Sequence, residues 1–180
     1  MGLIGLLIAI ATFPGIICHE IAHKFFCDLA GVPVYAVRYL RVGRLAGYVV
    51  HAPVDNPRVQ FLISVGPLIV NTLLCSVITF AAVIPIFILE VADSSVASWI
   101  LLWVGLSIGT HAFPSHSDMH AFRASVQRRG TGGTAHFVGN LLSPLFRIAN
   151  ILGAVGFNVL YAVLVASVGP RLLLGLWPVR

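Results

Sequence analysis

Charge is what this sequence lacks most. Only 9% of its 180 residues are charged, against about 25% in ordinary globular chains. Six acidic and eleven basic side chains cannot solvate the surface of a 19.3 kDa protein. With 58% of residues apolar, much of that surface must face lipid. A soluble enzyme and a disordered tail are thereby excluded. Cysteine is scarce as well. Cys18, Cys27 and Cys75 are odd in number and lie in apolar stretches, so they read as small buried hydrophobes and not as a disulfide framework. Acidic residues are few enough to leave a net charge of +5, carried almost wholly by arginine. At a mean hydropathy of +0.98 this reports membrane topology and not nucleic-acid binding. The first apolar run has no basic leader and no small-residue cleavage site, which speaks against a cleaved signal peptide. Without an internal repeat or a composition break, residues 1–180 read as one integral-membrane domain.

What is present is a set of long apolar stretches. The first runs from Gly2 to about Cys18, and its apolar character continues to about Ala30 with a kink expected at Pro14-Gly15. The second, about Val59 to Leu89, exceeds the ~20 residues a bilayer requires and should tilt or break near Pro67 or Pro85. The third runs from about Val96 to Phe113. The fourth is clearest from Ile148 to Val168, with Asn140 to Arg147 as a polar lead-in and Trp177 at headgroup level. Between the first two, Val34 to Val42 and Leu45 to His51 are rich in β-branched and aromatic residues and flank Gly43-Arg44. They predict a β-hairpin at the membrane surface. The expected fold is an all-α membrane bundle of about four transmembrane helices, with that hairpin between helices 1 and 2. Arg38, Arg41, Arg44 and Arg58 lie in one loop and Arg123, Arg128 and Arg129 in another, while Glu90 and Asp93 mark the loop between. The positive-inside rule puts the two basic loops in the cytoplasm and both termini outside.

The strongest chemical signal is His19-Glu20-Ile21-Ala22-His23. On a helix, residues four apart share a face, so His19 and His23 can offer two imidazoles to one metal. Glu20 is placed to act as general base toward a water at that metal. In a chain of this composition about 0.003 such matches arise by chance. Structural histidines alone are a poor explanation, since His, Glu and His are costly in an apolar helix unless paired or bound. A zinc hydrolase wants a third protein ligand. Asp118 is the carboxylate near the end of the third stretch, and a lone carboxylate at membrane depth calls for a cation. His116 is the next choice, and His111, His116 and His120 have interfacial solvation as their plain alternative. In the second stretch, Gly66-Pro67 can bring backbones close or free a carbonyl. Asn71 there can donate to a substrate carbonyl oxygen or make an interhelical hydrogen bond.

These pieces resemble the site-2 protease family of intramembrane zinc metalloproteases. The likeness rests on His19, Glu20 and His23 at a helix end, on the hairpin after it, and on Asp118 shortly after Pro114. Gly66, Pro67 and Asn71 are similar to a polar element many such proteins carry. The shared part covers about residues 14 to 120. Asp118 departs from the family's usual Leu-Asp-Gly, being flanked by Ser117 and Met119, and that stretch resembles a divergent branch of small membrane metalloproteases.

The resemblance implies hydrolysis of peptide bonds in membrane-associated protein or peptide substrates. One Zn²⁺ per chain would be held by His19, His23 and Asp118, with Glu20 as the catalytic base and Asn71 toward the substrate. Cobalt and iron(II) suit the same ligands. The hairpin can add an extended substrate as a strand or simply cap the bundle. A regulatory partner in the membrane stays open. The alternatives are a non-catalytic metal-binding adaptor or chaperone, a membrane zinc hydrolase of another family, and a metal transporter.

Overall fold

The computed structural model describes residues 3–41, 46–88, 96–128, 144, 148, 151, 156–173 and 175. The hairpin turn at Gly43-Arg44, the acidic loop with Glu90 and Asp93, Arg129, most of the Asn140 to Arg147 lead-in and Trp177 lie outside them.

The chain is mostly helical with one small antiparallel sheet. The first apolar stretch forms two helices, α1 (Leu3–Ala11) and α2 (Phe13–Leu29), and not one kinked helix. Pro14 has no N–H to continue the ladder and its ring crowds the carbonyl one turn back, so the break falls at Thr12, just before the proline. Helix α2 closes in a Schellman turn: Val32 N–H donates to Cys27 O and Gly31 N–H to Asp28 O. Gly31 takes the left-handed φ of 66° that this turn demands.

Strands β1 (Val34–Arg38) and β2 (Tyr48–His51) follow, paired antiparallel from Val34 opposite His51 to Arg38 opposite Tyr48, with a register shift between Val34 and Ala36. They are shorter than the sequence pattern suggests. The hairpin sits on the end of α2, where Phe26, Cys27, Val54 and Ile63 form a buried cluster edged by Val32 and Val34.

Helix α3 (Pro57–Val83) starts at Asn56, whose side chain accepts from Arg58 N–H at 3.1 Å, with Pro57 in the first helical position. It runs on through a π-helical turn at Ile84–Ile88. Over Pro57–Ile86, 30 residues, it is long and apolar enough to cross a membrane. Helix α4 (Val96–Thr110) packs on α3 and α2. Gly105 sits against Thr79, and Gly109 against Cys75 and Ala162. The stretch beyond α4, which reads in sequence as a basic loop, holds a helix, α5 (His116–Arg128). Its Met119, Phe122 and Val126 are buried with Val65 of α3, while His116, His120 and Arg123 face outward. Arg128 ties it to the segment after the hairpin, reaching Asp55 at 3.1 Å and Val54 O at 3.2 Å. Helix α6 (Phe157–Leu173) lies against α3 and α4, with Ala162 and Ala166 buried and Tyr161 OH 2.7 Å from Thr72 Oγ1. Cys27 and Cys75 are fully buried and Cys18 half-buried, and all three are free thiols.

Candidate metal centre

The site is assembled from four elements. Helix α2 presents His19 and His23 on one buried face, as their spacing requires. Asp118 comes from the first turn of α5. Their ligand atoms lie within 4.8 Å of one another, and this is the only such group of three among the described residues.

The orientation of each imidazole has a visible cause. Pro67 stands inside α3. It has no N–H to give to the carbonyl four residues back, which belongs to Ile63. That carbonyl accepts from His23 Nδ1 instead, at 2.9 Å. His19 Nδ1 donates to the carbonyl of His111, just past the end of α4, at 2.7 Å. The same carbonyl accepts from Asn71 Nδ2 at 2.8 Å. Because both Nδ1 atoms face acceptors, both carry the proton, and each Nε2 is left with a lone pair.

Those two Nε2 atoms stand 3.1 Å apart. Two lone pairs held face to face repel unless a cation lies between them. Asp118 completes the triangle, with Oδ1 3.4 Å from His23 Nε2 and Oδ2 3.8 Å from His19 Nε2. A tetrahedral ion with bonds of about 2.0–2.1 Å separates its ligand atoms by about 3.3 Å. The separations of His23 Nε2 from His19 Nε2 and from Asp118 Oδ1, 3.1 and 3.4 Å, stand on either side of that value, and His19 meets the other carboxylate oxygen, so the donor set has the chemistry and is close to the size that a divalent metal needs.

Asp118 is fixed by its own helix start. Ser115 N–H and Oγ donate to Asp118 Oδ2 at 2.7 and 2.6 Å, and Ser115 Oγ accepts from Asp118 N–H at 3.3 Å. This is a reciprocal capping box. Ser64 Oγ of α3 donates to Asp118 O at 2.9 Å, tying the turn to the bundle.

A cavity of about 670 Å³ opens beside these residues, lined by His19, Glu20, His23 and Asp118 and, on the hairpin side, by Gly47 and Tyr48. Gly47 lies directly against the Glu20 side chain, closer than a Cβ would permit, so the segment leading into β2 walls the side chain on that face.

Asn71 is placed differently from the sequence expectation. It is fully buried and does not line the cavity. Its Nδ2 donates to His111 O, the interhelical kind of bond that was its other reading, and so supports His19 from behind. His116 and His120 are exposed and outside the group. His111 is half-buried, its Nε2 2.8 Å from Thr12 Oγ1 at the α1–α2 break. Three contributors stand apart from the motif: the Ser115 cap, Gly47 and Asn158, which also lines the cavity. Two of them carry a sequence signal. Ser115-His116-Ser117-Asp118 is a capping-box spacing, and Asn158 is one of two asparagines in the fourth apolar stretch. Gly47 has none.

Comparison with protein-family models, with curated proteins and with solved structures gave no match.

Proposed function

We propose that this chain is an intramembrane zinc metalloprotease that hydrolyses peptide bonds of membrane-associated substrates. One observation carries the reading. Two neutral imidazoles are locked by backbone carbonyls so that their Nε2 lone pairs converge with a carboxylate, beside a cavity that also holds an adjacent glutamate. A purely structural metal has no use for that glutamate or for an open side.

Zinc bound there would lower the pKa of a water toward 7 and polarise the scissile carbonyl. Glu20 takes the proton of the attacking water and returns it to the leaving amide nitrogen. Gly47, in the segment leading into β2, screens Glu20 on one side. Asn71 and the His111 carbonyl keep His19 aimed, and the Ser115 cap keeps Asp118 in register.

The membrane placement belongs to the same reading. Helices α1 and α2 together, α3, α4 and α6 form four spans, with α5 on the cytoplasmic surface. Leu73, Val77, Trp99, Ile100, Leu160 and Leu164 are exposed, an apolar belt that water would not tolerate.

The first test is metal content in detergent-purified protein. Wild type and Glu20→Gln should each hold about one zinc per chain, and His23→Ala and Asp118→Ala should hold none. Glu20→Gln should cut proteolysis by roughly 10²–10⁴-fold. If it cleaves as fast as wild type, Glu20 is not the base and the proposed mechanism fails; if wild type holds zinc and cleaves nothing, the adaptor reading replaces this one.

A further inference from the structure

Among the described residues, two buried amide oxygens have no hydrogen-bond partner, Asn71 Oδ1 and Asn158 Oδ1. An acceptor withdrawn from water and left unpaired is costly, so native chains keep few, and those they keep call for an explanation. Asn71 is enclosed behind the metal centre. Asn158 lines the cavity that His19, Glu20 and Asp118 line.

The position of Asn158 is well fixed. Gly156, at a φ of 97°, turns the chain into α6, and its carbonyl accepts from Val159 and Leu160 N–H at 3.0 and 3.2 Å. The rings of Phe157 and Tyr161, on either side of Asn158 in sequence, pack on Phe113 at 5.5 and 4.8 Å. Phe113 itself lines the cavity. The first turn of α6 is therefore anchored to the cavity wall.

An unpaired carbonyl-type oxygen wants an N–H donor. A peptide drawn out of helical form beside the metal centre exposes backbone N–H groups that have lost their partners. Oδ1 itself is closed off from the cavity as the side chain stands; we propose that Asn158 is a substrate-binding residue whose amide turns toward the cavity and whose Oδ1 then accepts a backbone N–H of the peptide being cut. This rests on the metalloprotease reading and extends the site to α6, a helix outside the His-Glu-x-x-His region.

The test uses zinc-loaded protein in detergent micelles and two probes. Acetohydroxamate offers only a metal-chelating head. A leucyl dipeptide hydroxamate adds peptide N–H groups. Asn158→Leu should bind acetohydroxamate as wild type does, and the dipeptide probe about three- to tenfold more weakly. Asn158→Asp keeps an acceptor oxygen in place and should retain most of the affinity. If Asn158→Leu binds both probes like wild type, a water is the partner and the proposal is wrong. If it loses both in parallel, Asn158 serves the fold or the metal, and the proposal again fails. Wild type that binds neither probe overturns the metalloprotease reading itself, and this proposal with it.

Discussion

Pro67 trades a helical hydrogen bond for a ligand orientation. Replacing it with alanine restores an N–H that competes for Ile63 O, now held by His23. Pro67→Ala should therefore stabilise α3 while weakening zinc binding by about tenfold, in the range of lost supporting contacts. Chelator competition and thermal unfolding, run together, would show the opposite signs. Affinity that rises along with stability would contradict the account. Ser115→Ala removes both hydrogen bonds between the Ser115 hydroxyl and Asp118 and leaves the backbone N–H arm of the capping box. It should lower stability by about 1 kcal/mol and zinc affinity by 10- to 100-fold, with Ser115→Thr largely sparing both. At this scale the sequence was legible where chemistry is local. His19, Glu20 and His23 need only helical spacing to meet. Asp118 was reachable because few carboxylates exist to choose from. Asn71 was legible in part: a hydrogen bond to a neighbouring element was one of its two readings, while its partner, the His111 carbonyl past the end of α4, shows in no local pattern.

Among the elements, the close approach of α2 and α3 sets the depth at which His23 finds its carbonyl. Gly66 lies against the ring of Phe26 with no room for a Cβ. Gly66→Ala should destabilise the protein by about 1–3 kcal/mol and loosen the metal, and Phe26→Leu in the same chain should recover part of the loss. A shift in unfolding midpoint measured on the single and double variants decides this. The hairpin was legible from its β-branched residues, and α3 from its length. The break at Thr12 instead of at Pro14-Gly15 was off by a few residues, because proline strains the turn before it. Helix α5 was hidden, since its apolar stripe of Met119, Phe122 and Val126 is diluted by histidine and arginine into what reads as a basic loop.

For the molecule as a whole, orientation is the open variable, and it can be measured directly. Cys27 and Cys75 are fully buried, so Cys18→Ala leaves a background quiet to a membrane-impermeant maleimide. His120→Cys, on the exposed face of α5, should be labelled in inside-out vesicles and not in right-side-out ones. The reverse pattern would place the active site on the outer side. Composition made legible a helix long and apolar enough to cross a membrane, which α3 and its π-helical turn supply. The helix order around the site is written in no single segment, because it emerges from which carbonyls are left without donors.

The distribution of the metal ligands along the chain has a consequence for how the protein is made. His19 and His23 leave the ribosome early, but the carbonyl that aims His19 belongs to His111 and the third ligand is Asp118. Until α4 and α5 have been made and α5 has capped itself, the nascent chain holds a pair of unaimed histidines and an incomplete ligand set. On the proposed function, a protease synthesised among the very helices it can cut stays harmless until the Asp118 turn has followed its histidines out of the ribosome. Sequence order then sets the time at which the centre is switched on.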